Sequence, residues 1–110
     1  MAFDALETAV QLVAALRAPV GQVAQHDGDL ASQIRRAASS VALNLGEGQR
    51  RSGKDRLHHF RIAAGSAAEV GVALRVAVAW GFAEQPALVE AQGLLDRVLA
   101  MGWRLTHPRP

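Results

Sequence analysis

Residues 52–81, SGKDRLHHFRIAAGSAAEVGVALRVAVAWG, decide the fold. Within them Leu57, Phe60, Ala64, Ala67, Gly71, Leu74 and Val78 recur at alternating steps of three and four. That spacing places them on one side of an α-helix. Ser52 with Asp55 three residues on is close to a capping box, and Gly81 suits a helix C-terminus. The stretch therefore predicts a helix over residues 53–80. Small residues in its stripe let a neighbouring backbone come close, so the helix is a seam for antiparallel partners.

Upstream, Leu30, Ile34, Ala37, Val41 and Leu45 follow the same period. They predict a helix over 29–47, opened by Asp27 or Asp29 and closed by Gly46 and Gly48. Phe3, Leu6, Val10 and Val13, widened by Leu12 and Leu16, predict a first helix over 4–17. Pro19 and Gly21 read as its stop, with a loop to Gly28. Downstream, Leu88, Leu95, Val98, Leu99, Gly102 and Leu105 predict a last helix over 86–105, with Pro86 at its first position. Short connections between four such helices make an all-α, antiparallel up-down four-helix bundle.

The bulk properties agree. The chain has 110 residues, enough for one core, so residues 1–110 read as a single domain. Alanine supplies 22 of them and aromatics are few, which favours helices over strands. The absence of cysteine excludes disulfides, thiolate metal sites and a cysteine nucleophile. The N-terminal residues lack a basic segment followed by an apolar one, and no apolar run approaches about 18 residues. The expectation is a cytoplasmic protein with no membrane contact.

Charge is polarised along the chain. Between Arg35 and Arg61 lie seven basic residues, Arg35, Arg36, Arg50, Arg51, Lys54, Arg56 and Arg61, against Glu47 and Asp55. That segment carries +5 and the remainder −3. Arginine forks grip phosphate oxygens, so the seven are the candidate nucleic-acid-binding residues. Arg35 and Arg36 lie roughly 20 Å along their helix from the loop group, at 1.5 Å per residue. The alternative is that several of these arginines pair with Glu47, Asp55 and Glu69, or are merely solvated. Only Phe60 interleaves with the basic stretch, and the seam uses it, which argues against a stacking surface for single strands.

Catalytic and metal chemistry find little support. Asp55 and His58 form one half of a carboxylate–histidine pattern whose second half is missing. His58 and His59 are adjacent and diverge by about 100° on a helix. Ser39, Ser40 and Ser66 lie in small-residue helical company, and Gly46-Glu47-Gly48 is not a phosphate loop. The expectation is no enzyme, no catalytic residue, no metal and no cofactor. Asn44 reads as bonding backbone or a neighbouring helix. Glu69, if buried, needs a cation, for which Arg35 or Arg36 is the choice.

A second apolar set, Ile62, Val70, Val72, Val76 and Trp80, lies on another side of the 53–80 helix. A helix apolar on two sides within a small bundle points to an oligomer interface, and so to a homo-oligomer; the alternative is that the set wraps around a wide core stripe.

Two blocks carry a family resemblance. QIRRAASSV at 33–41 with NLGEG at 44–48, and FRIAAGSAAE at 60–69, resemble the signature of the 23S rRNA intervening-sequence proteins. The accessory variability determinant of diversity-generating retroelements is a relative. The resemblance implies a four-helix bundle assembled as a homopentamer with a basic surface. Relatives in retroelements bind nucleic acid and work with a reverse transcriptase, so RNA, DNA, such an enzyme or another protein are the implied partners. Arg35, Arg36, Asn44, Glu47, Gly48, Gly65, Ser66 and Glu69 match the motif, with Gly65 and Ser66 read as helix-packing positions. Gly46 departs from the usual alanine. The combined expectation is a non-enzymatic homo-oligomer that binds nucleic acid weakly, RNA preferred, through an arginine face. The alternative is a protein-interaction scaffold with structural arginines.

Overall fold

The computed structural model describes residues 3–109. Four helices follow in order: α1 (Asp4–Ala24), α2 (Gly28–Gln49), α3 (Gly53–Trp80) and α4 (Val89–Thr106). A 3-10 turn at Gln85–Leu88 leads into α4. Each helix packs mainly on two neighbours: α2 lies between α1 and α3, and α4 closes the square against both. Falling numbers on α2 meet rising numbers on α3, as Gly48 with Phe60 and Ser40 with Ser66. The same holds for α4 and α3, as Gly102 with Ala64 and Leu95 with Gly71. The result is an antiparallel up-down bundle, 44 Å long and 22 Å wide.

The core is aliphatic. Leu12, Ile34, Leu45, Leu74, Leu88 and Leu95 are fully buried along its length, with Val23, Val41 and Val70. Alanines at positions 9, 31, 67 and 77 fill the gaps where helices run close. The predicted α3 stripe holds: Phe60, Ala67 and Leu74 are buried, and Leu57, Ala64, Gly71 and Val78 border the core.

Four boundary expectations change. α1 does not stop at Pro19 but runs on to Ala24 with that proline buried inside it. An interior proline loses one backbone hydrogen bond, but Val20 and Val23 continue the buried line of Leu12 and Leu16. Burial of that extra turn outweighs the break. Gly46 and Gly48 do not end α2, since the helix continues to Gln49 and neither glycine has positive φ. Ser52 makes no side-chain cap bond to α3. Its supposed partner Asp55 instead accepts a 2.8 Å bond from Arg51. Pro86 belongs to the 3-10 turn and not to α4 proper. The expected ends at Asp27 and Gly81 stand: Asp27 Oδ1 accepts from the Leu30 amide at 2.9 Å, and Gly81 adopts φ 80°.

Glu69 and Arg75 break every apolar run of α3 well short of about 18 residues, but the helix is apolar on average. Among the described residues α3 is long and apolar enough to cross a membrane, with mean hydropathy 1.6 over its best window. Its valines, with Ile62 and Leu74, raise that average. In the bundle the helix forms one wall, with Glu69 and Arg75 exposed on it.

Candidate nucleic-acid interface

The seven basic residues separate into those held by the fold and those left to solvent. Arg56 is held most firmly. Its Nε donates to the Gly48 carbonyl at 3.1 Å and its Nη2 to the Gln49 carbonyl at 3.0 Å. These are among the last carbonyls of α2, at the negative end of the helix dipole, and the Gly48 carbonyl also accepts the Arg51 amide at 3.1 Å. Arg56 is therefore the C-terminal cap of α2, supplied from the first turn of α3. Arg51 bridges Asp55 at 2.8 Å and Glu47 at 3.4 Å. The hydrogen bond to Asp55, then its charge, and then Glu47 hold the guanidinium above its ordinary pKa. Arg50 approaches Glu47 only to 3.9 Å and stays open to solvent.

Arg35, Arg36, Lys54 and Arg61 are exposed and make no ion pair among the described residues. The proposed salt bridge from Glu69 to Arg35 or Arg36 is absent. Glu69 is exposed, so it needs no buried partner. Arg35 turns toward α1, beside Val13, Leu16 and Arg17. Arg35 and Arg36 also border a shallow recess of about 360 Å³ with Ser39, Ser40, Leu43 and Asn44.

The basic residues do not form one continuous stripe. Lys54, Arg61, Ala68 and Arg75 are seven residues apart and all exposed, so they share one flank of α3. That flank borders Ala64 and Gly71, the positions that α4 packs on. Arg36 on α2 and Arg50 at its C-terminal end are exposed and Arg35 lies toward α1, all away from that flank.

Between the two sets runs a polar seam joining α2 and α3. Ser40 Oγ and Ser66 Oγ are 2.8 Å apart. Asn44 Nδ2 donates to the Ser40 carbonyl at 3.0 Å and to its hydroxyl at 3.2 Å. Asn44 Oδ1 lies 3.0 Å from His59 Nδ1, which donates there because the amide oxygen only accepts. Asn44 and Ser66 thus hold helices together, as their sequence context implied. Gly48 does so by close approach: a Cβ there would lie 2.6 Å from Phe60 Cε1.

Gly65 is not a packing position within the chain. A Cβ at that site would meet nothing within 4 Å. It lies on the exposed side of α3 with Ile62, Glu69, Val72, Val76 and Trp80, at steps of three and four. Val72 is 58 % exposed and Trp80 70 %. Val70 is removed from this set. It is fully buried in the protomer's own core, because it falls about 100° from Glu69, toward α2.

One aromatic pair escaped the sequence reading. The Trp103 and His107 rings stack with centroids 4.2 Å apart and planes at 12°. His107 Nδ1 donates to the Trp103 carbonyl at 2.9 Å. The i, i+4 spacing was the available signal, hidden because both residues lie more than 40 positions beyond Arg61 in sequence.

Fold and surface define an all-α antiparallel bundle protein whose free cations lie on its outer faces. The chain belongs to the 23S rRNA-intervening sequence protein family, whose model matches residues 3–103. No curated protein matches it. The family is compatible with a nucleic-acid-related role.

Proposed function

We propose that this chain is a non-enzymatic, homo-oligomeric bundle protein that binds nucleic acid weakly, RNA preferred, by phosphate neutralisation. The observation that carries the reading is the set of exposed cations without ion-pair partners among the described residues, Arg35, Arg36, Lys54 and Arg61. Free arginines retain their full fork of donors for phosphate oxygens. No base reading is required of such contacts. Self-association rests on the exposed side of α3, where Ile62, Val72, Val76 and Trp80 flank Gly65 and Glu69. The resemblance of the two sequence blocks favours five subunits, and a cytoplasmic setting fits an RNA ligand.

The test is fluorescence anisotropy of structured RNA, duplex DNA and an acidic control polymer over a salt series. The wild type is compared with Arg35→Glu/Arg36→Glu at matched mass by light scattering. The expected result is nucleic-acid binding that exceeds the control and is lost in the variant. On duplex DNA the log-affinity falls with log salt at about −0.9 per neutralised phosphate. Binding equal to the control, or unchanged in the variant, defeats the reading and favours a protein-interaction scaffold.

A further inference from the structure

The end of the bundle that holds the α2–α3 connection also holds the last turn of α4. Gly102 seats on Ala64, with its would-be Cβ 3.7 Å from the Ala64 Cβ. Arg61 lies one turn before Ala64 on that flank of α3, about 4.5 Å along the axis. Trp103 follows Gly102 directly. Glu90 marks the opposite flank of α4, where it borders Ala14 and Ala18 of α1. Trp103 therefore opens onto the α3 side, within about one turn of Arg61, while Lys54 lies about 10 Å further along α3.

Trp103 is 61 % exposed although His107 covers one ring face. The covering ring is fixed: a carbonyl can only accept, so His107 Nδ1 carries the proton in the bond to Trp103 O. The other indole face is left open, on a preorganised two-ring stack, with Arg104 in the same turn. Nothing in the packing of the chain calls for an aromatic residue there. Trp80, the other exposed tryptophan, differs in setting. It stacks on Phe82 and lies on the apolar side of α3 with Val76.

An open aromatic face beside free cations matches an unpaired nucleotide, whose base stacks while its phosphates meet the cations. A duplex offers the phosphates but keeps its base faces stacked inside. We infer that Trp103, backed by His107 and with Arg61 on the facing flank of α3, is a stacking platform for an unpaired base of single-stranded nucleic acid. This rests on the nucleic-acid reading above and narrows its ligand to strands with unpaired bases.

The experiment uses a short oligouridylate and an RNA duplex of equal total charge. It compares the wild type, Trp103→Ala and Trp103→Phe, each checked by light scattering. A Trp80→Phe background isolates Trp103 fluorescence. The expected result is quenching by the oligouridylate. Trp103→Ala is expected to weaken oligouridylate binding about tenfold, with duplex affinity unchanged and Trp103→Phe restoring most of the loss. Duplex binding that matches single-strand binding and ignores Trp103 overturns the platform and leaves the phosphate reading standing. A fall in assembly mass for Trp103→Ala overturns it too, by making Trp103 a subunit contact. If the wild type binds neither polymer, the phosphate reading falls and the platform with it.

Discussion

The ring of Phe60 occupies the space that a side chain on Gly48 would need. A Cβ at Gly48 would lie 2.6 and 2.7 Å from two Phe60 ring carbons and 3.3 Å from the Arg56 carbonyl. The ring cannot retreat freely, since Phe60 is buried and its centroid lies 5.9 Å from that of Phe3. Gly48→Ala is therefore expected to destabilise the bundle by about 1–3 kcal/mol, although alanine is the better helix former. Gly46→Ala is the control, because its nearest neighbour, Leu6 Cδ2, lies at 4.0 Å. Urea denaturation of the two variants reads the difference.

Arg56 separates a structural arginine from a ligand-binding one. Its two donors bond the Gln49 carbonyl and the Gly48 carbonyl, the latter shared with the Arg51 amide, so Arg56→Ala is expected to cost about 1 kcal/mol of folding stability. Arg35→Ala, with no such partner, is expected to change stability by less than about 0.5 kcal/mol. In the salt-series titration the ranking reverses: Arg35→Ala weakens nucleic-acid binding more than Arg56→Ala. The same order in both assays would count against dividing the cations this way.

The four helices were legible because each carries a long buried stripe, and α3 was legible to both ends. The errors came from residues with two uses. Pro19 and Gly21 ordinarily stop a helix, but Val20 and Val23 bury enough surface to carry α1 past them. Gly46 and Gly48 resemble a helix end, yet Gly48 is small to admit Phe60. The charge run was visible as a run, but not its division. Which arginine faces a carbonyl, a carboxylate or solvent depends on how α2 turns into α3. Trp103 and His107 join the basic end only through antiparallel packing, so no local window of sequence places them together.

The seam of Ser40, Asn44, Ser66 and His59 makes a graded prediction. Ser66→Ala removes one partner of the 2.8 Å hydroxyl pair, while Ser40 keeps its bond from Asn44. The expected cost is about 1 kcal/mol. Asn44→Ala strips partners from both Ser40 and His59 and is expected to cost about 2 kcal/mol. In a double-mutant cycle, Ser40→Ala and Ser66→Ala are expected to be non-additive by at least about 0.5 kcal/mol. Additive losses would mean that the two hydroxyls do not act as a pair.

Val70 and Val76 are six residues apart on α3 and face opposite demands. Val70 has no exposed surface within the protomer. Val70→Ala leaves a cavity in the core, with an expected cost of about 2 kcal/mol. Val76 lies among the exposed apolar residues of the same helix. Val76→Lys is expected to leave protomer folding within about 0.5 kcal/mol, because no core contact is lost. If that side of α3 joins subunits, the lysine ammonium must be desolvated in the interface, and the assembly dissociates. Light scattering of Val76→Lys is then expected to give a mass below that of the wild type, while Val70→Ala keeps the wild-type mass and melts earlier. A Val76→Lys mass equal to the wild type at the same concentration would place the subunit contact elsewhere.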